Sequence, residues 1–380
     1  MQPAVPLLTL VSLLSLGMPG IAAQPDFDDL SRRAAEALKS NPAEAASLYR
    51  QAVALRPSWA EGWFYLGASK YQLKRYPEAR TAFRRATSLA PTDGASWAFL
   101  GLCDEQLKAY PTALEHILKA ETLGLPDNLP FVSSVRITAA SIYIRSAEFS
   151  LAVQQLEPLA RAGDNSPAVI HALGVSALTL PYALAEIPEP KRPLVDLAGR
   201  AMWALYAGRT EETAPLFKEL AAKYPAESGV HYVCGIYQLA HDPQAAIAEF
   251  EKELQITPSH VSARVQIAMT RINEGSPAAA IDPARQAVRL APGNFLGHVA
   301  LGRALMDSKQ TAEAIHEFET AIKLSPENPH PHYYLGQAFR STGKTVEAQK
   351  EMAVFTRLKA KQNEVTEDGL AKPATSASAP

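Results

Sequence analysis

A spacing of 34 residues, repeated along most of the chain, constrains the fold more than any other feature of this sequence. Trp63 and Leu66 return 34 positions later as Trp97 and Leu100, and Pro91 separates the two copies. A unit of this length cannot bury an apolar face by itself, so copies must stack to form a shared core. The sequence therefore predicts an array of small repeated units.

Each copy predicts two antiparallel helices joined by a short turn. In the clearest copy, small residues such as Gly67 and Ala79 fall where the helix backbones must approach closely, and Phe83 supplies the bulk beside them. The first helix carries the Leu-Gly pair and the second helix ends at a proline. Both helices of a copy are apolar along one stripe, which predicts an all-α chain.

The period and the order Trp, Leu-Gly, Ala, Phe, Ala, Pro resemble the tetratricopeptide repeat family over most of residues 26–362. The resemblance implies an α-solenoid, a right-handed superhelix of stacked antiparallel helix pairs with about nine to ten repeats. It also implies that the first helices line an inner groove that holds an extended peptide or a helix of a partner. It implies no chemistry by itself.

The copies are not equally regular, and the irregular places set the expected domain boundaries. Pro181, Pro188, Pro190 and Pro193 fall where a second helix should run, and at most one short helix, Tyr182–Ile187, fits there. This break is either a decayed repeat or a bend that serves as a docking loop. The predicted organisation is 1–23 signal peptide, 24–180 first array, 181–193 break, 194–362 second array and 363–380 disordered tail.

The N-terminal residues predict export. An uncharged apolar run, Val5–Leu16, is followed by Gly and Pro and then by Ala22 and Ala23, which is typical of a signal peptide cleaved after Ala23. Because no Lys or Arg precedes the run, two alternatives stay open, namely an uncleaved membrane anchor and a cytosolic protein. We expect a periplasmic or secreted protein, and N-terminal sequencing of the mature chain tests this. No later apolar run approaches membrane length, so the mature chain is not expected to insert stably.

Composition and motifs exclude several function classes. The 380 residues contain 37 Lys plus Arg against 39 Asp plus Glu, so no basic excess favours nucleic acid. The sequence has no glycine-rich phosphate loop, nucleophile elbow or His-Glu-x-x-His motif, and it predicts no enzyme, cofactor or metal site. Cys103 and Cys234 lie on distant repeats and are expected to be buried and unpaired. His330 and His332 are interpreted as turn residues.

The candidate site is a second stripe on the first helices, displaced from the Trp and Leu-Gly stripe and expected to face the groove. It is unusually apolar for a surface, which is typical of a partner site, although core packing against the next repeat is the alternative. The arginines at its end are either solvated surface charges, which is the commoner case, or an anchor for an acidic or carboxylate-bearing ligand segment. The candidate residues are Phe64, Tyr71, Leu102, Ile137, His171, Met202, Tyr232, Ile236, Met269, Arg303, Tyr333, Gln337 and Arg340.

These features favour a non-enzymatic scaffold that binds a partner peptide or helix in the groove. The alternative is a small-ligand or glycan-binding module, or a regulatory subunit of an exported enzyme complex, with the proline-rich break shaping a pocket. The sequence identifies neither the partner nor the oligomeric state.

Overall fold

The computed structural model describes residues 26–370, with side chains through residue 360, and the predicted signal peptide lies outside this range. The described part contains nineteen α-helices and two short 3-10 turns, without a strand. The chain is an all-α helical-repeat solenoid, as the period predicts. Its residues form two compact units, and the boundary between them in the sequence lies between Leu89 and Ala90.

The described residues of the first unit, 26–89, form four helices, and each packs against the next. Leu30 and Ala34 of the first helix are buried with Tyr49 of the second, while Phe27 is only partly buried beneath the Arg56 guanidinium. A partly exposed apolar side chain on the first described helix is typical of a capping repeat. The helices are α1 (Phe27–Ala37), α2 (Pro42–Leu55), α3 (Ala60–Gln72) and α4 (Tyr76–Leu89).

The second unit continues the same alternation of first and second helices, with each helix packed on its neighbours in the chain. Its helices are α5 (Gly94–Gln106), α6 (Tyr110–Leu123), α7 (Leu129–Arg145), α8 (Phe149–Arg161), α9 (Pro167–Ala177), α10 (Arg192–Tyr206), α11 (Thr210–Lys223), α12 (Val230–Gln238), α13 (Pro243–Ile256), α14 (Val261–Asn273), α15 (Pro277–Leu290), α16 (Phe295–Asp307), α17 (Thr311–Leu324), α18 (Pro329–Ser341) and α19 (Thr345–Leu370). Helix α19 passes the predicted boundary at residue 362, and residues 371–380 of the predicted tail lie outside the described range.

Most first helices end in a left-handed turn that reverses the chain into the second helix. Glycine occupies this position in some copies, with φ of 78° at Gly275 and 77° at Gly343. Lysine occupies it in others, with φ of 57° at Lys74, 60° at Lys108 and 66° at Lys309. A left-handed residue costs little at glycine and more elsewhere. The sequence predicts a left-handed residue only in those copies that have glycine at this position.

The proline-rich break begins with the same turn and then departs from the repeat. Thr179 has φ of 52°, and the Leu180 N–H donates to the Val175 carbonyl at 3.0 Å. Of the short helix that the sequence allows at Tyr182–Ile187, only a 3-10 turn, Leu184–Glu186, is present, and a second 3-10 turn, Glu189–Lys191, follows it. Prolines within this stretch lack the N–H groups that an α-helix needs.

The end of the predicted break at residue 193 also needs correction. Helix α10 begins at Arg192, so Pro193 lies in its first turn, where the missing N–H has no helical partner to lose. The break itself is part of the core of the second unit. Ile187 is buried, and Leu180, Tyr182 and Leu184 pack against the same cluster.

Because the break supplies no second helix after α9, helix α10 packs directly on α9. The two backbones approach each other at Gly174 and Gly199. A Cβ at Gly174 would collide with the Val195 carbonyl oxygen, and one at Gly199 would collide with the Ile170 carbonyl oxygen. The break therefore brings two first helices together without an intervening helix.

A hydrogen bond to the proline that ends the preceding repeat recurs at the start of the first helices. Trp63 Nε1 donates to the Pro57 carbonyl at 3.0 Å, and Trp97 Nε1 donates to the Pro91 carbonyl at 2.9 Å. In later copies a histidine or an arginine takes the tryptophan position and contacts the equivalent carbonyl. The repeat pattern by itself does not indicate this polar contact.

His298 at this position predicts a pH-dependent contribution to stability. Its Nε2 lies 2.9 Å from the Pro292 carbonyl, and its Nδ1 lies 2.6 Å from Glu317 Oε2. The hydrogen bond to Glu317 raises the pKa of His298 above its usual range. Because the native pKa is raised, the protonated ring stabilises the fold fully below the unfolded pKa of about 6.5, and this contribution is lost as pH rises through the native pKa.

We therefore expect His298→Gln to lower the free energy of unfolding by about 2 kcal/mol at roughly pH 5.5 and by less at roughly pH 8.5. Urea unfolding followed by circular dichroism at both pH values measures the difference. His316→Gln, which removes an exposed histidine from α17, is the control. An equal cost of His298→Gln at both pH values would contradict the assignment.

Candidate functional site

The thirteen candidate groove residues divide between the two units and differ in exposure. Phe64 and Tyr71 belong to the first unit, where Phe64 packs on Phe83 with ring centroids 5.7 Å apart and Tyr71 packs on Tyr76. In the second unit, Leu102, Met202 and Tyr232 are buried. Arg340 is exposed. The remaining candidates are partly buried, namely Ile137, His171, Ile236, Met269, Arg303, Tyr333 and Gln337.

Three of the candidates converge on one cavity of the second unit, which we call the tyrosine pocket. Met202 comes from α10, and Tyr232 and Ile236 come from α12. The cavity has a volume of about 160 Å³ and lies where the ends of α9 and α10 meet the beginnings of α8 and α14. Its lining is Phe149, Ser150, Val153, Ser176, Ala177, Thr179, Met202, Tyr206, Tyr232, Val233, Ile236, Ser262 and Gln266.

A second cavity of about 510 Å³, which we call the methionine cavity, adjoins the tyrosine pocket, because Gln266 lines both. Met269 is the candidate residue in it. Its lining, drawn mainly from α14 with contributions from α13 and α16, is Leu239, Pro243, Val265, Gln266, Met269, Thr270, Asn273, Glu274, Leu296 and Val299. The two cavities place a largely apolar surface across four consecutive first helices, α10, α12, α14 and α16, and the end of α9.

Tyr232 is held rigidly between the core and the tyrosine pocket. Its ring centroid lies 5.7 Å from that of Phe250 and 4.7 Å from that of His260. Burial raises the pKa of Tyr232 to about 12, although hydrogen bonds with Gln266 and Ser262 oppose the shift. The phenol therefore stays protonated and uncharged at neutral pH. One side of the Tyr232 side chain packs in the core and the other lines the pocket. Both the core and the binding-site expectation for the stripe therefore apply to this residue.

A buried carboxylate fixes the beginning of α12, on which Tyr232 lies. Glu253 is fully buried, and its Oε1 accepts a hydrogen bond from the Gly229 N–H at 2.9 Å. Its Oε2 lies 3.4 Å from the Tyr232 N, which donates to it. Negative charge is favourable at a helix N-terminus, where backbone N–H groups have no partner within the helix. This contact sets the position of Tyr232 in the pocket wall.

The arginines at the end of the stripe do not form one basic site. Arg303 Nη1 lies 3.6 Å from Met269 Sδ, and its Nη2 donates to Asn273 Oδ1 at 3.3 Å. Its guanidinium is therefore engaged with side chains around the methionine cavity. Arg340 is exposed on α18, and Tyr333 on the same helix packs on Phe355 with centroids 5.2 Å apart. The carboxylate anchor that the sequence suggested stays a prediction.

Sequence reasoning missed three side chains that shape the tyrosine pocket, namely Ser176, Tyr206 and Gln266. Tyr206 follows Met202 by four residues, so it lies on the same helical face, but it was not among the candidates. Gln266 lies next to an apolar residue of the stripe, and its polar side chain would be interpreted as solvated surface. Ser176 lies between apolar residues and carries no periodic signal.

Other expectations concern chemistry. Both cysteines are buried and form no disulfide bond, as predicted, and burial raises the pKa of the Cys234 thiol to about 12. Among the described residues, no group of three or more His, Cys, Asp or Glu side chains is placed to hold a metal ion. None of the described helices combines the length and the hydropathy that crossing a membrane requires.

Comparison with known families agrees with the repeat pattern. A tetratricopeptide repeat family matches residues 39–94 and 69–124, and a TPR repeat family matches residues 302–343. Among curated proteins, none matches the chain.

Solved structures similar to this chain include two of MamA. A fragment from Desulfovibrio magneticus RS-1 is 22% identical, with 47% of this chain and 99% of that chain aligned and a TM-score of 0.41. The MamA RS-1 double mutant is 22% identical over 47% of this chain and 98% of that chain, with a TM-score of 0.41. YrrB, described as a TPR protein with an unusual peptide-binding site, is 12% identical over 48% and 95%, with a TM-score of 0.38.

Proposed function

The chain is a tetratricopeptide-repeat protein, and we propose that it is a non-enzymatic scaffold that binds a segment of a partner protein along the first helices of its second unit. Repeats of this family form protein-interaction scaffolds in general. The observation that carries the proposal is that the tyrosine pocket and the methionine cavity are neighbours and share Gln266 in their linings.

The composition of this surface favours a partner segment with apolar side chains. Met269, Leu296 and Val299 line the methionine cavity, and Leu296 is 44% exposed. Methionine adapts its shape to a ligand at low cost, and apolar clefts with a few polar groups are typical of binding sites. Asn273 and Glu274 add polar groups to the lining. Because neighbouring repeats present successive parts of this surface, contacts with one segment can add through effective concentration.

The proposal predicts that a charge at Met269 weakens partner binding. Peptides selected from a random displayed library on the full chain provide the probe, and fluorescence anisotropy of a labelled peptide gives its Kd. We expect Met269→Glu to raise the Kd at least about tenfold, because the charge must be desolvated under the peptide. Met269→Ala, which adds no charge, should show a smaller loss.

Leu290→Glu is the matched control for the library-selected peptide. Leu290 is 48% exposed at the end of the second helix α15 and is absent from the lining of both cavities. It therefore tests whether exposed apolar side chains in general capture peptides. Far-UV circular dichroism confirms that each variant keeps its helices. Equal affinity of Met269→Glu and the unchanged chain, or a loss only in Leu290→Glu, would refute the proposed groove.

A further inference from the structure

The tyrosine pocket contains a buried hydroxyl that has no hydrogen-bond partner. Ser176 lines the pocket and is 2% exposed, and its Oγ has no hydrogen bond to any of the described residues. Leaving a buried hydroxyl unsatisfied costs free energy, which is why such groups in native proteins call for an explanation. A ligand that reaches this wall of the pocket can supply the missing partner.

A second hydroxyl belongs to the pocket wall. Tyr206 lines the cavity and is partly buried. Burial raises the pKa of Tyr206 above its usual range, so the phenol stays uncharged at neutral pH. A hydroxyl can donate one hydrogen bond and accept two. Ser176 and Tyr206 together therefore offer both donors and acceptors.

The lining carries no formal charge. Its polar members are serine, threonine, tyrosine and glutamine, and its apolar members include Met202, Val233 and Ile236. An ammonium or carboxylate placed here would lose its water without gaining an opposite charge, which is costly. A purely apolar group would leave Ser176 unsatisfied. The chemistry of the wall thus selects a ligand group that is uncharged and hydrogen-bonding.

We propose that the tyrosine pocket receives an uncharged carboxamide side chain, that of asparagine or glutamine, from the bound partner segment. The carboxamide presents one acceptor oxygen and two N–H donors at the end of an apolar stem. Its stem lies against Met202 and Ile236, while its end group reaches the hydroxyls of Ser176 and Tyr206. This inference rests on the proposed function, since it assigns one residue class to one position of the partner.

Blocked amino acids test the preference with the full chain. The probes are N-acetyl-glutamine methylamide, N-acetyl-glutamate methylamide, N-acetyl-leucine methylamide and glucose, followed by ligand-detected saturation-transfer NMR. We expect the glutamine derivative to bind at least about fivefold more tightly than the glutamate or leucine derivatives. Preferential binding of glucose, or no preference among the amino acids, would overturn the proposal. The glucose result would instead indicate a saccharide pocket.

Removing the unpartnered hydroxyl separates its role in binding from its role in folding. Ser176→Ala removes an unsatisfied buried group, so the thermal midpoint of unfolding should stay the same or rise. Its affinity for the glutamine derivative should fall about fivefold. Ser308→Ala is the matched control, because Ser308 Oγ is also buried without a partner but lies outside the pocket. It should leave affinity unchanged.

The outcomes distinguish this inference from the proposed scaffold function. If Ser176→Ala binds the glutamine derivative as tightly as the unchanged chain does, the assignment of the hydroxyl is wrong. The library-selected peptides can still bind with dependence on Met269 in that case, and the scaffold function stands. If neither the peptides nor the derivative depend on these residues, both proposals fail.

Discussion

Replacing Gly199 by alanine is expected to lower the free energy of unfolding of the second unit by about 3 kcal/mol. The added Cβ would collide with the carbonyl oxygen of Ile170, and a backbone atom cannot move aside as the end of a side chain can. Helices α9 and α10 must therefore separate, which disturbs the packing of the largest core cluster. Urea unfolding followed by circular dichroism measures the loss.

Gly293→Ala is the control for the general effect of adding a methyl group at a glycine. A Cβ at Gly293 meets no atom within 4 Å, and its φ lies outside the left-handed range. We expect this change to be neutral or to stabilise the chain by up to about 1 kcal/mol, because alanine reduces the freedom of the unfolded chain. A similar cost for both substitutions would show that α9 and α10 do not pack through their backbones.

Phe318→Ala is expected to cost about 4 kcal/mol, the largest effect of any single change considered for this chain. Phe318 is fully buried on α17, beneath Gly302 of α16. Its ring stacks on Tyr334 with centroids 5.6 Å apart. The substitution removes apolar contacts and leaves a cavity in the stacked array. Thermal and urea unfolding of the full chain measure the effect.

The same pair allows a test of coupling. A Cβ at Gly302 would lie 2.5 Å from the Phe318 ring, so Gly302→Ala alone should also destabilise. With Phe318→Ala in place, the ring is gone and the added methyl group fills part of the cavity. We expect the double variant to be at least about 1 kcal/mol more stable than the sum of the single costs predicts. Additive costs would contradict the fit of this glycine under the aromatic ring.

The repeat period predicted how the interior is built because equivalent contacts recur in several copies. Gly67 lies against Phe83 in the first unit just as Gly302 lies against Phe318 in the second. Each contact joins residues close in sequence, so a local pattern contains the information. The helices and the burial of the two cysteines follow from this pattern. The left-handed turns at lysine do not, because lysine carries no signal for positive φ.

The candidate site was predictable in part. Met202, Tyr232 and Ile236 do line one cavity, which agrees with a stripe on the first helices. Periodicity could not tell which of them are also core, since Tyr232 is packed on both Phe250 and His260. It also could not find Ser176, because the lack of a partner for a hydroxyl depends on the elements around it. Residues of α8, α9, α10, α12 and α14 all contribute to that environment.

Residue spacing is enough to predict the repeated unit and the helical class, because both depend on contacts between residues that lie close together in the sequence. How the proline-rich break packs is visible only in the three-dimensional structure. The sequence leaves open a decayed repeat or a docking loop, and in the structure Ile187 is buried in the core and helix α10 packs directly on α9. Gly174 and Gly199 have no side chain, so the backbones of α9 and α10 can come into contact. This contact also requires that no second helix lies between α9 and α10. That close approach also brings Ser176 and Tyr206 to one pocket, which no periodic pattern records.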